Sequence, residues 1–210
     1  MCFSASASFS ASAILAVAGM ISLKKVEKPS QLPFAFVPVL FSLQQFTEGL
    51  VWIALKDHEH WKNIPIYLFL FIAQVLWPFW VPLSVWLIEE NEHRKKELQV
   101  FLFSGSILSL YLGFCLFFYK ADAIITPYHI HYELYFPQNI TTLVGIIYFL
   151  STIIAPFLST HKRMKFLGTF NLLSFIVSEI FFKDYLVSVW CFFSALISWE
   201  VYLVMKNMKK

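Results

Sequence analysis

The chain has 210 residues, of which 59% are hydrophobic, 19% aromatic and only 14% charged, with a formal net charge of +3. Soluble domains carry about 25% charged residues, so this chain has too few charges to cover a globular surface, and we expect an integral membrane protein. The small net charge gives no reason to expect nucleic acid as a partner.

Seven apolar stretches follow one another along the chain, each about 17–25 residues long, which is enough to cross a hydrocarbon core as a helix. They predict an all-α bundle of seven transmembrane helices that forms one domain over residues 1–210 in the lipid bilayer. The sequence does not indicate an oligomeric state. The predicted spans are 3–23, 33–55, 64–88, 98–119, 140–158, 166–182 and 185–205.

The first stretch opens with MCFSASASFSASA, in which serine recurs at every second position. Such alternation is typical of a strand, but a lone strand cannot satisfy its backbone in lipid. At helical spacing, Ser4, Ser8, Ser12 and Ala16 share one face of small side chains, which permits close helix packing in a membrane. We therefore predict a helix with a central packing role.

The basic residues are distributed unevenly between alternate loops. Twelve of the 16 Lys and Arg follow the first, third, fifth and seventh stretches. Because positive residues are enriched in cytoplasmic loops, the amino terminus is predicted outside the cell membrane and the carboxyl terminus in the cytoplasm. The twelve are Lys24, Lys25, Lys28, Arg94, Lys95, Lys96, Lys162, Arg163, Lys165, Lys206, Lys209 and Lys210.

The second stretch contains LQQFTEGLVW, in which an acidic residue lies inside an apolar span. Gln44, Glu48 and Trp52 are spaced by four and share one helix face, with Gln45 beside them. An ionisable group inside a span indicates a functional site by default. Glu48 is therefore a candidate catalytic residue, and all four are candidate ligand contacts. The alternative is an interhelical hydrogen-bond network that only stabilises the bundle.

Other spans carry two more acids and a proline-rich segment. Glu179 lies within about one turn of the outer end of the sixth span, where it is either functional or paired with Lys183. We interpret Glu200, within reach of Lys206, as structural. In the third span, WPFWVP predicts a kink that opens a cavity or lateral gap, the alternative being plain packing between aromatic rings.

The cysteines lie towards the outer side of the predicted bundle. If Met1 is removed, Cys2 has a free amine beside a thiol, a combination that suits metal chelation or nucleophilic attack. We predict Cys2 and Cys191 as ligand contacts, and Cys2 as a second candidate catalytic residue. A disulfide between them, or a simple packing role for Cys2, remains open.

The longest outer loop contains TPYHIHYELYF, which alternates between polar and apolar residues and predicts an extended segment. His129, His131 and Glu133 share one side, and three such ligands suit zinc. His58 and His60 form a second H-x-H pair in the other outer loop. These five residues are candidate ligands for zinc or copper, unless the histidines are simply solvated. We expect the apolar side of the segment to cover the bundle.

The opening MCFSASASF resembles the start of a widespread, uncharacterised family of small membrane proteins that begin MCFSA-x-ASF. LQQFTEGLVW, WPFWVP and SVWCFFSA are similar to that family as well, so the resemblance covers most of the chain. It implies that Cys2, Glu48 and Cys191 belong to the family pattern. Because the family is a domain of unknown function, the resemblance implies no activity.

Three functions remain open. In the first, Cys2, Gln45, Glu48, His129 and Cys191 converge at an outward-facing pocket that binds a small ligand or a metal ion. In the second, the protein is a membrane-embedded enzyme for a lipid or small apolar substrate, with Glu48 as acid or base and Cys2 or a metal-bound water as nucleophile. In the third, it is a transporter in which Glu48 carries a proton.

Overall fold

The computed structural model describes residues 4–57, 59–126 and 129–208. Over these residues, seven helices are long and apolar enough to cross a membrane, which confirms the predicted number. They are α1 (Ala5–Leu23), α2 (Pro29–Lys56), α3 (Asn63–Ile88), α4 (Glu92–Phe118), α5 (Gln138–Leu158), α6 (Lys162–Phe181) and α7 (Lys183–Asn207). A hairpin of β1 (Ala121–Thr126) and β2 (His129–Leu134) lies between α4 and α5.

The centre of the bundle is α2, of which 67% of the most apolar window is buried, against 39% for α1. The predicted helix in the serine-rich segment is confirmed, and it packs closely along α2, while its central role in the bundle stays a prediction. Small residues allow this close approach. Ser12 and Ser42 hydrogen bond at 3.2 Å, and a side chain on Gly19 would clash with Val39.

The fourth helix begins at Glu92, six residues before the predicted span. The Asn91 side-chain oxygen caps it by accepting hydrogen bonds from the backbone N–H groups of His93 and Arg94, each at 3.1 Å. Lys, Arg and Glu are good helix formers, so the basic segment extends the helix at its amino-terminal end.

Two helices contain π-helical segments, Phe71–Leu76 in α3 and Leu150–Ile154 in α5. Tyr148 joins them: its hydroxyl donates to the Ala73 carbonyl at 2.5 Å, and its own carbonyl accepts from the Thr152 hydroxyl at 2.7 Å. Because π segments shift the backbone hydrogen-bond register, carbonyls there are accessible to side-chain donors. Such segments frequently occur at functional sites.

The WPFWVP segment begins the α-helical part of α3 that follows its π segment, and the kink predicted for it stays a prediction. The Pro78 carbonyl of this segment lies so close to α4 that a Cβ added to Gly105 would overlap with its oxygen. The Trp80 indole N–H donates to the Pro33 carbonyl of α2 at 3.0 Å. Proline and glycine therefore set how α2, α3 and α4 pack.

A buried carboxylate joins the α3–α4 loop to the α5–α6 loop. Glu89 follows α3, is 2% exposed, and accepts hydrogen bonds from the Thr160 N–H (2.8 Å), the Thr160 hydroxyl (2.7 Å) and the Asn91 N–H (3.0 Å). Burial raises the pKa of this carboxyl, but the hydrogen bonds stabilise its charged form and the net pKa lies below the usual value. The sequence analysis missed Glu89, because an acid at the end of a span is normally solvated.

On the same side of the bundle, an ion pair joins α6 to α7. The Glu200 carboxylate lies 3.7 Å from the Arg163 guanidinium. The expected role of Glu200 as a structural residue is supported, but its observed partner is Arg163 and not Lys206.

The hairpin is antiparallel, pairing Ala121 with Leu134 and Thr126 with His129. The extended segment predicted around HIHYE is therefore confirmed, although the sequence analysis did not predict its partner β1. Ile130 is fully buried and Tyr132 is 8% exposed. The Tyr132 ring stacks on Phe69 of α3 with 4.7 Å between centroids, so the apolar side of β2 covers one end of the bundle, as expected.

Candidate functional site

The histidine face of β2 does not form a metal centre. His131 Nδ1 lies 2.6 Å from the Asp184 carbonyl oxygen, and Glu133 accepts a hydrogen bond from the Tyr135 hydroxyl at 2.9 Å. Each side chain therefore has its own partner. Among the described residues, no group of three His, Cys, Asp or Glu could hold a metal ion. The prediction of a zinc or copper site on His129, His131 and Glu133 is not supported.

The remaining predicted ligands do not change this result. The His129 ring stacks on Tyr185 with 4.7 Å between centroids, and burial lowers its pKa. His60 is exposed in the α2–α3 loop, and His58 lies outside the described residues. The β2 histidines thus attach the hairpin to the start of α7.

The polar stripe on α2 is a buried network between helices. Gln44, Gln45 and Glu48 are all 0% exposed. Glu48 accepts a hydrogen bond from the Ser188 hydroxyl of α7 at 2.5 Å. Gln44 accepts one from the Trp77 indole N–H of α3 at 2.8 Å. The predicted common face is correct, and it joins α2 to both α3 and α7.

Other predicted contact residues flank this network. Cys191, 5% exposed, lies on α7 close to Gln44 and Glu48 and has a free thiol, so the disulfide interpretation has no support. Both amide atoms of Gln45 and the indole nitrogen of Trp52 make no hydrogen bond with the described residues. Cys2, the remaining candidate, lies outside those residues.

A cavity of about 670 Å³ lies beside this network, between α3, α4, α5, α6 and α7 and under the end of β2. Pockets for small molecules commonly have volumes of about 300–1,000 Å³. Of the predicted contact residues that the structure describes, Cys191 lines this cavity and the others do not. Most of its wall is apolar, and its aromatic members include Tyr111, Phe149, Phe175 and Trp190.

Two polar side chains in the cavity wall have no partner among the described residues. Gln74 belongs to the π segment of α3, and Glu179 lies two residues before the end of α6. Neither forms a hydrogen bond or an ion pair within the described part of the chain. The alternative in which Glu179 pairs with Lys183 is therefore not observed, and Lys183 is exposed.

A second, smaller cavity of about 80 Å³ lies between α2, α3, α5, α6 and α7. It shares Tyr148, Trp190 and Cys191 with the larger cavity, so these three side chains stand between the two. Asn171 holds Trp190 in place. Its side-chain oxygen accepts hydrogen bonds from the Trp190 indole N–H at 3.2 Å and from the Ser194 hydroxyl at 2.7 Å. The smaller cavity lies beside WPFWVP, as predicted for that segment.

The half of α5 next to the hairpin forms a loosely packed wall of the larger cavity. No residue of its α-helical part, Thr141–Phe149, is buried. Gly145 lines the cavity, and a Cβ added there would meet nothing within 4 Å. This half-helix therefore encloses space without packing tightly against the bundle.

Seven apolar helices, a hairpin over one end and a cavity between helices are compatible with a multi-pass membrane protein. The chain belongs to the family described as "Family of unknown function (DUF6629)", whose model matches residues 1–210. This match confirms the resemblance to an uncharacterised family. No curated protein and no solved structure matches the chain.

Proposed function

We propose that the protein crosses the cell membrane seven times and that its larger cavity binds a small, mostly apolar ligand from the outer side. The observation that carries the proposal is the cavity of about 670 Å³, with its apolar wall and two unpartnered polar side chains. A few polar groups in an apolar concavity are typical of ligand sites.

The orientation in this proposal rests on charge. The ends of the helices next to the hairpin carry four Lys, and the opposite ends carry ten described Lys and Arg, with Lys209 and Lys210 following in the sequence. The positive-inside rule then puts the hairpin and the larger cavity outside. Green fluorescent protein fused after Lys210 is expected to fluoresce, because it folds in the cytoplasm. A dark fusion, with activity of a carboxyl-terminal alkaline phosphatase fusion instead, would reverse the orientation.

Ligand binding is tested with N-phenyl-1-naphthylamine, an uncharged probe whose fluorescence rises in apolar surroundings. Purified protein in nanodiscs is expected to show a saturable increase above protein-free nanodiscs. Gly145→Phe fills the open space in the cavity and is expected to remove that saturable part. Ile146→Phe is the matched control, because Ile146 is 52% exposed on the same helix. Equal binding by both variants, or no saturable binding by the wild type, would overturn the proposal.

Transport is a second candidate function, supported by the two cavities that meet at Tyr148, Trp190 and Cys191. A route along these residues differs from the one predicted through Glu48, which is fully buried in the network with Ser188. Uptake of the probe into proteoliposomes, faster than into protein-free liposomes, is the expected result. The enzyme hypothesis stays a prediction, since Cys2 lies outside the described residues.

A further inference from the structure

The larger cavity has an acidic group in its wall and no described basic one, and we infer that its ligand is a lipophilic organic cation that the Glu179 carboxylate recognises. This inference rests on the proposed function, since it names the chemical class of the ligand for the same cavity. It differs from the sequence-based proposal, which assigned ligand recognition to Glu48 and its neighbours.

The charges around the cavity are the first support. Among the described residues that line it, Glu179 is acidic and none is Lys or Arg. The described lysines nearby are engaged or exposed: Lys62 and Lys120 lie 2.8 and 3.7 Å from the Asp122 carboxylate, and Lys183 is exposed beyond the end of α6. The Glu179 charge is therefore not neutralised by a described side chain.

The cost of such a charge is the second support. Glu179 is partly buried in the cavity wall, so its carboxylate loses part of its hydration there, and ionisable groups inside spans usually have a partner or a function. Gln74 cannot neutralise Glu179, because it is uncharged. A cation in the cavity would supply the missing charge, whereas an anionic ligand would add to the repulsion.

The aromatic wall is the third support. Phe149, Phe175 and Trp190 bring α5, α6 and α7 together in an edge-to-face series, with 5.3 Å between the centroids of each successive pair. Tyr111 adds a further ring from α4. Aromatic faces attract cations and accommodate apolar substituents, so a cation with aryl or alkyl groups satisfies both the carboxylate and the rings.

The test compares two probes of nearly equal shape, methyltriphenylphosphonium, which is a cation, and triphenylphosphine oxide, which is neutral. Each displaces N-phenyl-1-naphthylamine from protein in nanodiscs. In the wild type, the cation is expected to achieve half displacement at a concentration at least about tenfold lower than the neutral probe, a difference of about 1.4 kcal/mol.

Variants then identify the group responsible. Glu179→Gln is expected to remove the preference for the cation, and Glu179→Asp to keep part of it. Glu133→Gln is the matched control: it removes the same charge on β2, outside the cavity wall, and is expected to leave the preference unchanged. Thermal unfolding of each variant checks that it folds, and Glu179→Gln breaks no described contact.

The outcomes separate the two proposals. Equal displacement by both probes in the wild type overturns the inference and leaves the proposed function standing. A preference that survives in Glu179→Gln, or falls equally in Glu133→Gln, shows that Glu179 is not the recognising group. Absence of saturable N-phenyl-1-naphthylamine binding overturns the proposed function itself.

Discussion

Removing the Glu89 carboxylate is expected to loosen the loops between α3 and α4 and between α5 and α6. Three hydrogen bonds reach this carboxylate, two from Thr160 and one from Asn91. Hydrogen bonds to a charged group contribute about 1.5–3 kcal/mol each, but Thr160 is exposed and its groups can bind water instead. We therefore expect Glu89→Ala to lower the free energy of unfolding by about 2–4 kcal/mol.

The same carboxylate predicts a pH dependence. Its pKa in the folded protein is lower than the usual value of 4.5, so the folded state holds the charged form more strongly than the unfolded state does. This stabilisation is fully present above pH 4.5 and is lost as the pH falls through the folded-state pKa. Glu89→Gln is expected to weaken the acid dependence, since the amide does not titrate there.

Thermal unfolding in detergent, followed by tryptophan fluorescence, measures both effects. About 2–4 °C per kcal/mol gives a decrease of at least about 4 °C for Glu89→Ala. Glu90→Ala is the control, because the Glu90 side chain is 80% exposed and lies 3.4 Å from an exposed Lys28. Such a pair contributes little. Equal losses in both variants, or an unchanged midpoint for Glu89→Ala, would refute the reasoning.

Two further predictions concern helix packing and are measured in the same assay. Gly105→Ala is expected to destabilise by about 1–3 kcal/mol, because the new methyl group meets the Pro78 carbonyl; Gly145→Ala, with open space around its Cβ, is expected to stabilise by up to about 1 kcal/mol. Equal effects of the two would contradict this. Tyr148→Phe is expected to cost about 1–3 kcal/mol, because the Ala73 carbonyl loses its hydroxyl donor, and wild-type stability would show that water replaces it.

The helices were predictable because hydropathy is a local property of the chain, and the shared face of Gln44 and Glu48 followed from a spacing of four. What these side chains contact was not predictable. The hydroxyl that binds Glu48 belongs to Ser188, 140 positions away, and two of the three donors to Glu89 come from Thr160, 71 positions away. Such pairings depend on how the helices pack.

The types of residue at the candidate site were predictable from the sequence, but the position of the site in the fold was not. Alternation at HIHYE correctly predicted an extended segment with one buried side. The same alternation suggested a metal site, but each polar side chain contacts a different residue. Glu179 was singled out by its position inside a span. Its role in a cavity wall could not be read from the sequence, because that wall combines five helices and a π segment.

The exposed half of α5 next to the hairpin has a consequence for how affinity is expressed. In a bilayer, the residues of Thr141–Phe149 that are not covered by protein would contact acyl chains, so in the proposed orientation the ligand would reach the cavity from the lipid of the outer leaflet. The concentration of the ligand in the lipid would exceed its aqueous concentration by a factor equal to its partition coefficient. Occupancy would then follow the mole fraction of ligand in the membrane, and a dissociation constant referred to water would change with the amount and composition of lipid.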